Sequence, residues 1–240
     1  MSRALRSGAA LAFVAVLSSA RVSSAFERAL STDGAYLRWD QVGSIRLALD
    51  PGGPEGLELV GAARRAAETW SRCLPEGPRI EAGSALAPVS LRWVERDWPF
   101  GASLVAHTEV HSDGPTGRIH QVEISLDASR TWSTAPLPAL EALDLESVLL
   151  HELGHALGLG HSRREDAVMR AGLRPGQPPR RGLTEDDCEG ARTLFLRAEK
   201  ASPPSRAPTS SPPMTALGSL GAGLLLLGIA GLVRHGRARR

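Results

Sequence analysis

Three histidines and a glutamate lie within eleven residues of this 240-residue chain. The stretch reads HELGHALGLGH and contains His151, Glu152, His155 and His161. Neutral imidazole nitrogens are good zinc ligands, and three protein ligands leave a fourth tetrahedral position open, as in catalytic zinc sites. The residue types therefore predict a Zn²⁺ site with a carboxylate beside it that can act as a base.

The spacing predicts a helix that ends between the second and third ligands. Residues four apart share a helix face, so His151 and His155 can bind one ion. Gly158 can take the left-handed conformation that ends a helix, and His161 then returns to the metal. Glu152 is a poor ligand but can accept a proton from zinc-bound water, which attacks a peptide carbonyl. The alternative is a set of structural histidines. However, the five positions that this interpretation requires, three histidines, one glutamate and one glycine, match by chance on the order of once in 10⁴–10⁵ chains.

The elements that must position this helix are predicted from periodicity. Apolar residues recur at three- and four-residue steps from Leu59 to Leu74, which indicates an amphipathic helix. Asp144 is a suitable cap for the histidine-bearing helix, and Thr184 for a last helix. Apolar and polar residues alternate in four predicted strands, namely residues 44–50, 88–95, 103–111 and 118–127. Along the chain, the predicted strands come first, with one helix among them, and the other helices follow. This order favours an α+β fold.

The charge distribution argues against a nucleic-acid partner. Seven of the 28 basic residues lie in the first 25 and last seven positions, where no acidic residue occurs. The middle of the chain therefore has 21 basic against 26 acidic residues, a net charge of about −5. A nucleic-acid surface would need a basic face instead.

Residues 1–25 are typical of a secretory signal peptide. Arg3 and Arg6 precede a short apolar run, and the small residues from Ser23 to Ala25 suit a signal peptidase. The folded domain is then expected over residues 26–200, outside the cytoplasm.

The C-terminal part is expected to anchor this domain. Residues 201–213 form a Pro/Ser-rich linker, and residues 214–233 are a 20-residue uncharged apolar run long enough to cross a bilayer. The arginine-rich tail, residues 234–240, predicts a cytoplasmic C-terminus and a single-pass protein. The same tail also resembles a sorting signal, in which a sorting protease would trim the helix and release the domain.

The zinc motif resembles that of the metzincin metallopeptidases, HExxHxxGxxH. Met169 follows the third histidine by eight residues, as in the methionine turn of that family. The segments HSRREDAVM, GRIHQVEISLDASRTW and LTEDDCEGARTLF, the last with Asp186 and Asp187, are similar to the matrixin branch (peptidase M10A-like, of the bacterial type). The resemblance implies a zincin fold: a twisted mixed sheet, an active-site helix, the Met-turn and a small C-terminal subdomain ending in a helix.

The resemblance further implies a zinc endopeptidase that acts on extracytoplasmic proteins or peptides. Its substrates would pair with an edge strand that includes Val105, Ala106, His107 and Thr108. The segment MRAGLRPGQPPRRG departs from the proline and tyrosine that matrixins place after the Met-turn. The calcium and second-zinc loops of animal matrixins are not recognisable, and the third histidine expected just before Asp127 is replaced by Ser125. We therefore interpret three further histidines, at positions 107, 111 and 120, as ordinary strand or loop residues.

Two cysteines, Cys73 and Cys188, are expected to form a disulfide, because an even count in an exported protein favours pairing. Astacins, another metzincin branch, have a disulfide between comparable places. A cysteine switch in the segment RCLPE is the competing interpretation, but that segment follows the first helix and is not in a preceding pro-segment.

Two other functions remain compatible with the sequence. One is a catalytically silent binding protein with the metzincin fold, although the intact Glu152 argues against it. The other is a processing protease dedicated to a single partner, which the sequence does not separate from a broad protease.

Overall fold

The computed structural model describes residues 25–195, apart from residues 41–42, 51 and 85–86. The predicted signal peptide, the linker, the apolar segment 214–233 and the basic tail lie outside these residues. Within the described residues, no helix combines the length and the apolar character needed to cross a bilayer.

The described chain has an α+β architecture, as predicted. Its helices are α1 (Leu59–Cys73), α2 (Leu145–Leu157) and α3 (Glu185–Phe195). Its strands are β1 (Phe26–Arg28), β2 (Ser44–Leu49), β3 (Arg79–Ser84), β4 (Val89–Val94), β5 (Ala106–Ser112), β6 (Ile119–Asp127), β7 (Trp132–Ser133), β8 (Leu143–Asp144) and β9 (Leu159–Ser162).

The main sheet has five strands in the order β3-β2-β4-β6-β5. Strands β2, β3, β4 and β6 run parallel, and β5 pairs antiparallel with β6 at one edge. All three predicted helices and the four predicted strands are present, with ends shifted by a few residues. This sheet is the mixed sheet that the family resemblance implies.

Helix α2 lies at the centre of the molecule. Twelve of its thirteen residues are buried, so the helix is surrounded by neighbouring elements, as expected for a core helix. Two tryptophan indoles fix its backbone: Trp70 of α1 donates to the carbonyl of Leu150 (2.8 Å), and Trp39 donates to that of Ala156 (2.9 Å). Since buried N–H groups need acceptors, these contacts set the position of α2 against its neighbours.

The periodicity did not predict β1, β3, β7, β8 and β9, of which all but β3 have two to four residues. In β3, Ile80 is buried but Ala82 is only partly buried, so the alternation is too weak to recognise. Strand β9 follows α2 directly and pairs antiparallel with β1 near the start of the described chain, with Phe26 opposite Ser162. The segment around the third histidine is therefore a strand, where only a turn was expected.

Cys73 and Cys188 form a disulfide that joins the end of α1 to α3. The cysteines are 115 residues apart in sequence. Helix α3 also packs against α1, α2, β1 and β9, so the covalent link and these contacts together hold it to the domain.

Candidate metal centre

Both ends of α2 are fixed by the residues that the sequence suggested. Asp144 caps the first turn, since its carboxylate accepts from the backbone N–H of Ser147 (2.8 Å). Gly158 ends the helix in the left-handed conformation, with φ 111°. An added Cβ there would lie 3.0 Å from the Leu37 carbonyl oxygen, so both backbone angle and space favour glycine.

This local geometry brings His151, His155 and His161 together. Their candidate ligand nitrogens all lie within 4.8 Å of one another. The Nε2 atoms of His151 and His155 are 3.1 Å apart. Tetrahedral zinc with bonds of about 2.0–2.1 Å places its ligand nitrogens about 3.3 Å apart. The three side chains therefore fit one zinc ion with little rearrangement.

Backbone carbonyls orient two of the imidazoles. Nδ1 of His151 lies 2.8 Å from the Val168 oxygen, and Nδ1 of His155 lies 2.8 Å from the Leu159 oxygen. A carbonyl only accepts hydrogen bonds, so each Nδ1 carries the proton and each Nε2 offers its lone pair. Burial lowers the pKa of both imidazoles to about 4, and burial also lowers the pKa of His161. The rings are therefore neutral near pH 7, the form that binds zinc.

Met169 packs against α2 on the side of Gly154. It is fully buried, and a Cβ added to Gly154 would lie 2.2 Å from its sulfur. Asp187 of α3 holds the Met-turn through its backbone, since its carboxylate accepts from the N–H groups of Val168 and Met169 (3.0 Å each). The same carboxylate accepts from the N–H (2.9 Å) and hydroxyl (2.7 Å) of Thr184, the predicted cap of α3.

Asp186 connects α3 to the strand of the third ligand. Its carboxylate accepts from the hydroxyl of Ser162 (2.7 Å) and from the N–H of Ala25 (2.7 Å). Ser162 directly follows His161, so the two adjacent aspartates hold two separate segments of the candidate site. The family resemblance indicated both aspartates, but their contacts with the Met-turn, Ser162 and Ala25 were not predicted.

Glu152 lies beside the three histidines and is mostly buried, with 7% of its surface exposed. The hydroxyl of Thr108 donates to its Oε2 at 2.5 Å. Thr108 lies on β5, together with Ala106 and His107, and Val105 immediately precedes that strand. The segment named as the substrate edge strand is therefore at the sheet edge and next to Glu152.

The arginine-rich segment after the Met-turn contacts the first turn of α2. Arg181 donates from Nε to both carboxylate oxygens of Asp144 (3.1 Å each). The N–H of Arg180 donates to the hydroxyl of Ser147 (2.7 Å). A small cavity between this segment and α2 is lined in part by Val148 and Leu173. The sequence showed the unusual composition here but gave no sign of these contacts.

The three further histidines, His107, His111 and His120, do not belong to this group. His107 and His111 are on β5, and His120 is on β6. Ser125 of β6 lies opposite His107, and the His107 ring stacks on Phe100 with 4.0 Å between centroids. In the described part of the chain, one group of three side chains could bind a metal ion together, and it consists of His151, His155 and His161.

Comparison with known proteins agrees with this geometry. The matrixin family model matches residues 95–196, which include β5, β6, α2, the Met-turn and α3. The chain contains a matrixin-like metzincin domain. The resemblance inferred from the zinc motif is thereby confirmed.

The matrixin relatives include plant and animal proteins. The chain is 31% identical over 179 residues to Metalloendoproteinase 2-MMP of Arabidopsis thaliana, a match that covers 71% of this chain and 44% of the relative. It is 36% identical over 138 residues to Metalloendoproteinase 1-MMP of the same plant, covering 55% and 36%. It is 29% identical over 157 residues to human Matrix metalloproteinase-16, covering 60% and 25%. The chain thus spans less than half the length of each of these relatives.

Proposed function

We propose that this matrixin-like chain is a zinc-dependent endopeptidase that hydrolyses peptide bonds in extracytoplasmic proteins. The observation that carries the proposal is the convergence of three neutral imidazoles with one buried carboxylate, Glu152, next to the edge strand β5. The relatives named as metalloendoproteinases support the same activity.

His151, His155 and His161 would hold zinc through one nitrogen each. When bound, zinc supplies a Lewis acid that polarises the substrate carbonyl and makes an adjacent water more acidic. Glu152 accepts the proton of the attacking water at Oε1, the oxygen that Thr108 does not contact. The same carboxyl group then donates the proton to the leaving amine nitrogen, which completes hydrolysis. Met169 has no role as a ligand here and acts by packing, since a thioether is a soft, weak partner for zinc.

The outer edge of β5 would bind the substrate. An extended peptide can add a strand to an open sheet edge through backbone hydrogen bonds. Such a peptide would run past the side of Glu152, because Thr108 joins this strand to that carboxylate. Residues 105–108 would therefore place the scissile bond near the metal.

We also propose that the domain acts outside the cytoplasm. Residues 1–25 would direct export, and residues 214–233 would anchor the protein in the membrane unless a sorting protease trims them. The support for this location comes from the sequence pattern alone. Mass spectrometry of the protein from membranes and from medium distinguishes an anchored chain from a mature chain that ends near residue 213.

The activity is tested with the purified full-length protein and a mixed peptide library. Wild type should contain one zinc per chain and cleave internal peptide bonds, and a chelator should stop cleavage. Glu152→Gln should keep the zinc and lose about 10²–10⁴-fold in rate, the usual cost of removing a general base. A wild-type protein that binds zinc but cleaves no peptide would favour the silent binding protein, and cleavage of one protein only would favour the dedicated processing protease.

A further inference from the structure

The hydroxyl of Thr108 contacts the proposed base, Glu152, but takes no part in the bond-making steps of the proposed mechanism. It lies 2.5 Å from Oε2 of Glu152 and 3.4 Å from the backbone oxygen of the same residue. Within the described residues, no other hydrogen-bond donor contacts the Glu152 carboxylate. A hydroxyl that donates to a carboxylate makes a charge-assisted bond, which is shorter and stronger than a neutral one.

Both partners of this hydrogen bond are held in place by the fold. Thr108 lies opposite Ile124 in the antiparallel pairing of β5 with β6. Glu152 lies in the middle of α2, whose backbone is held by the indoles of Trp39 and Trp70. Because strand and helix are fixed separately, the hydrogen bond selects one orientation of the Glu152 side chain. A threonine also has few side-chain rotamers, so its hydroxyl is well placed for this purpose.

The orientation has a direct consequence for proton transfer. With Oε2 occupied by the Thr108 hydroxyl, Oε1 is the oxygen left to accept a proton from water. A glutamate without this restraint would distribute over several rotamers, and only some of them bring an oxygen within hydrogen-bond reach of the attacking water. Geometry of this kind affects the rate of the chemical step more than the binding of a peptide to the strand edge.

We infer that Thr108 is a positioning residue, which orients the Glu152 carboxylate for proton transfer through its hydroxyl; this inference rests on the proposed peptidase function. The backbone of Thr108 pairs within β5, whereas its side chain serves the base. Thr108 thus connects the strand proposed to hold the substrate to the residue proposed to activate water.

The test replaces the hydroxyl with a methyl group of nearly the same size. Thr108→Val keeps a β-branched strand residue and removes the donor. We expect kcat on an internally quenched peptide to fall about 10- to 100-fold, as for the loss of a hydrogen bond to a charged group. We expect KM and zinc content to stay within twofold of wild type. Thr108→Ser restores a hydroxyl at the same position and should recover most of kcat.

The matched control is Thr116→Val, which removes an exposed hydroxyl that donates to Asp113 in the turn between β5 and β6 (3.0 Å). It should leave kcat and KM unchanged. The inference would be overturned, with the peptidase proposal intact, if Thr108→Val had the same kcat as wild type. It would also be overturned if the substitution raised KM and left kcat unchanged. If the zinc-loaded wild type cleaves no peptide, that inactivity refutes the peptidase proposal. Its crystal structure then tests the positioning role separately, because a distance beyond 3.5 Å between the Thr108 hydroxyl oxygen and Oε2 of Glu152 would refute that role.

Discussion

Asp187 offers the sharpest test of how the fold supports the metal centre. Its buried carboxylate accepts four hydrogen bonds: the N–H of Met169 at Oδ1, and the N–H of Val168 with the N–H and hydroxyl of Thr184 at Oδ2. Asp187→Asn keeps the shape but turns one acceptor into an NH₂ group. The less costly orientation places that NH₂ at Oδ1, where it faces the Met169 N–H.

The cost follows from the contacts that change. One charge-assisted hydrogen bond is lost, which costs about 1.5–3 kcal/mol, and a buried donor is left without an acceptor, which costs about 1–3 kcal/mol. We therefore expect the free energy of unfolding to fall by about 3–5 kcal/mol. At about 2–4 °C per kcal/mol for a domain of this size, Tm should fall by roughly 10 °C.

The same substitution should weaken zinc binding. The carbonyl of Val168 orients His151 through Nδ1, and this carbonyl belongs to the same peptide group as the Met169 N–H that loses its acceptor. Loss of such an indirect support typically costs 10- to 100-fold in metal affinity. Competition with a chromophoric chelator measures this affinity, and circular dichroism measures Tm.

Glu185→Gln is the matched control in the same helix turn. The Glu185 side chain is 79% exposed and pairs with Arg192 at the surface, so its loss should change stability by no more than about 0.5 kcal/mol. If Asp187→Asn melted within 1 °C of wild type and bound zinc equally tightly, Asp187 would not support the Met-turn in the way the hydrogen bonds indicate.

Three further predictions concern other parts of the same structure. Gly154→Ala should destabilise the domain by about 1–3 kcal/mol in chemical denaturation, because its methyl group would overlap the buried side chain of Met169. Cys73→Ser combined with Cys188→Ser should cost about 2–5 kcal/mol in urea unfolding, as expected for a crosslink over 115 residues, and no loss would show that packing alone holds α3. His151 and His155 of α2 have pKa values lowered by burial to about 4 in the folded protein, so between pH 6.5 and 4 the unfolded chain binds more protons. In the presence of a chelator, stability should therefore fall with decreasing pH across this window, by up to about 1.4 kcal/mol per pH unit for each histidine, and a flat profile would contradict their burial as neutral groups.

The parts of the site that the sequence predicts are those that depend on local geometry. The spacing of His151 and His155 on one helix face, the cap at Asp144 and the turn at Gly158 involve contacts within one or two helical turns. Such features depend on helical periodicity and on the φ preference of single residues, and both follow from the local sequence.

The parts that the sequence did not predict depend on long-range contacts. Thr108 and Glu152 are 44 residues apart, and Arg181 and Asp144 are 37 residues apart. A threonine in a strand and an arginine in a loop are common, so their types carry no sign of these partners. Strand β3 was not predicted for a related reason. It forms a strand because it pairs with β2, whereas its own alternation of apolar and polar residues is weak.

Helix α3 shows why the zinc motif alone does not define the site. Its adjacent aspartates hold the Met-turn and the residue after His161, and the next residue, Cys188, is joined to the end of α1. Helix α1 in turn holds the backbone just before His151 through the indole of Trp70. The three histidines would provide the ligand atoms of the proposed site, whereas α1 and α3 provide the rigidity that keeps those atoms within 4.8 Å of one another. A site fixed in this way loses less conformational entropy when it binds a metal ion or a substrate.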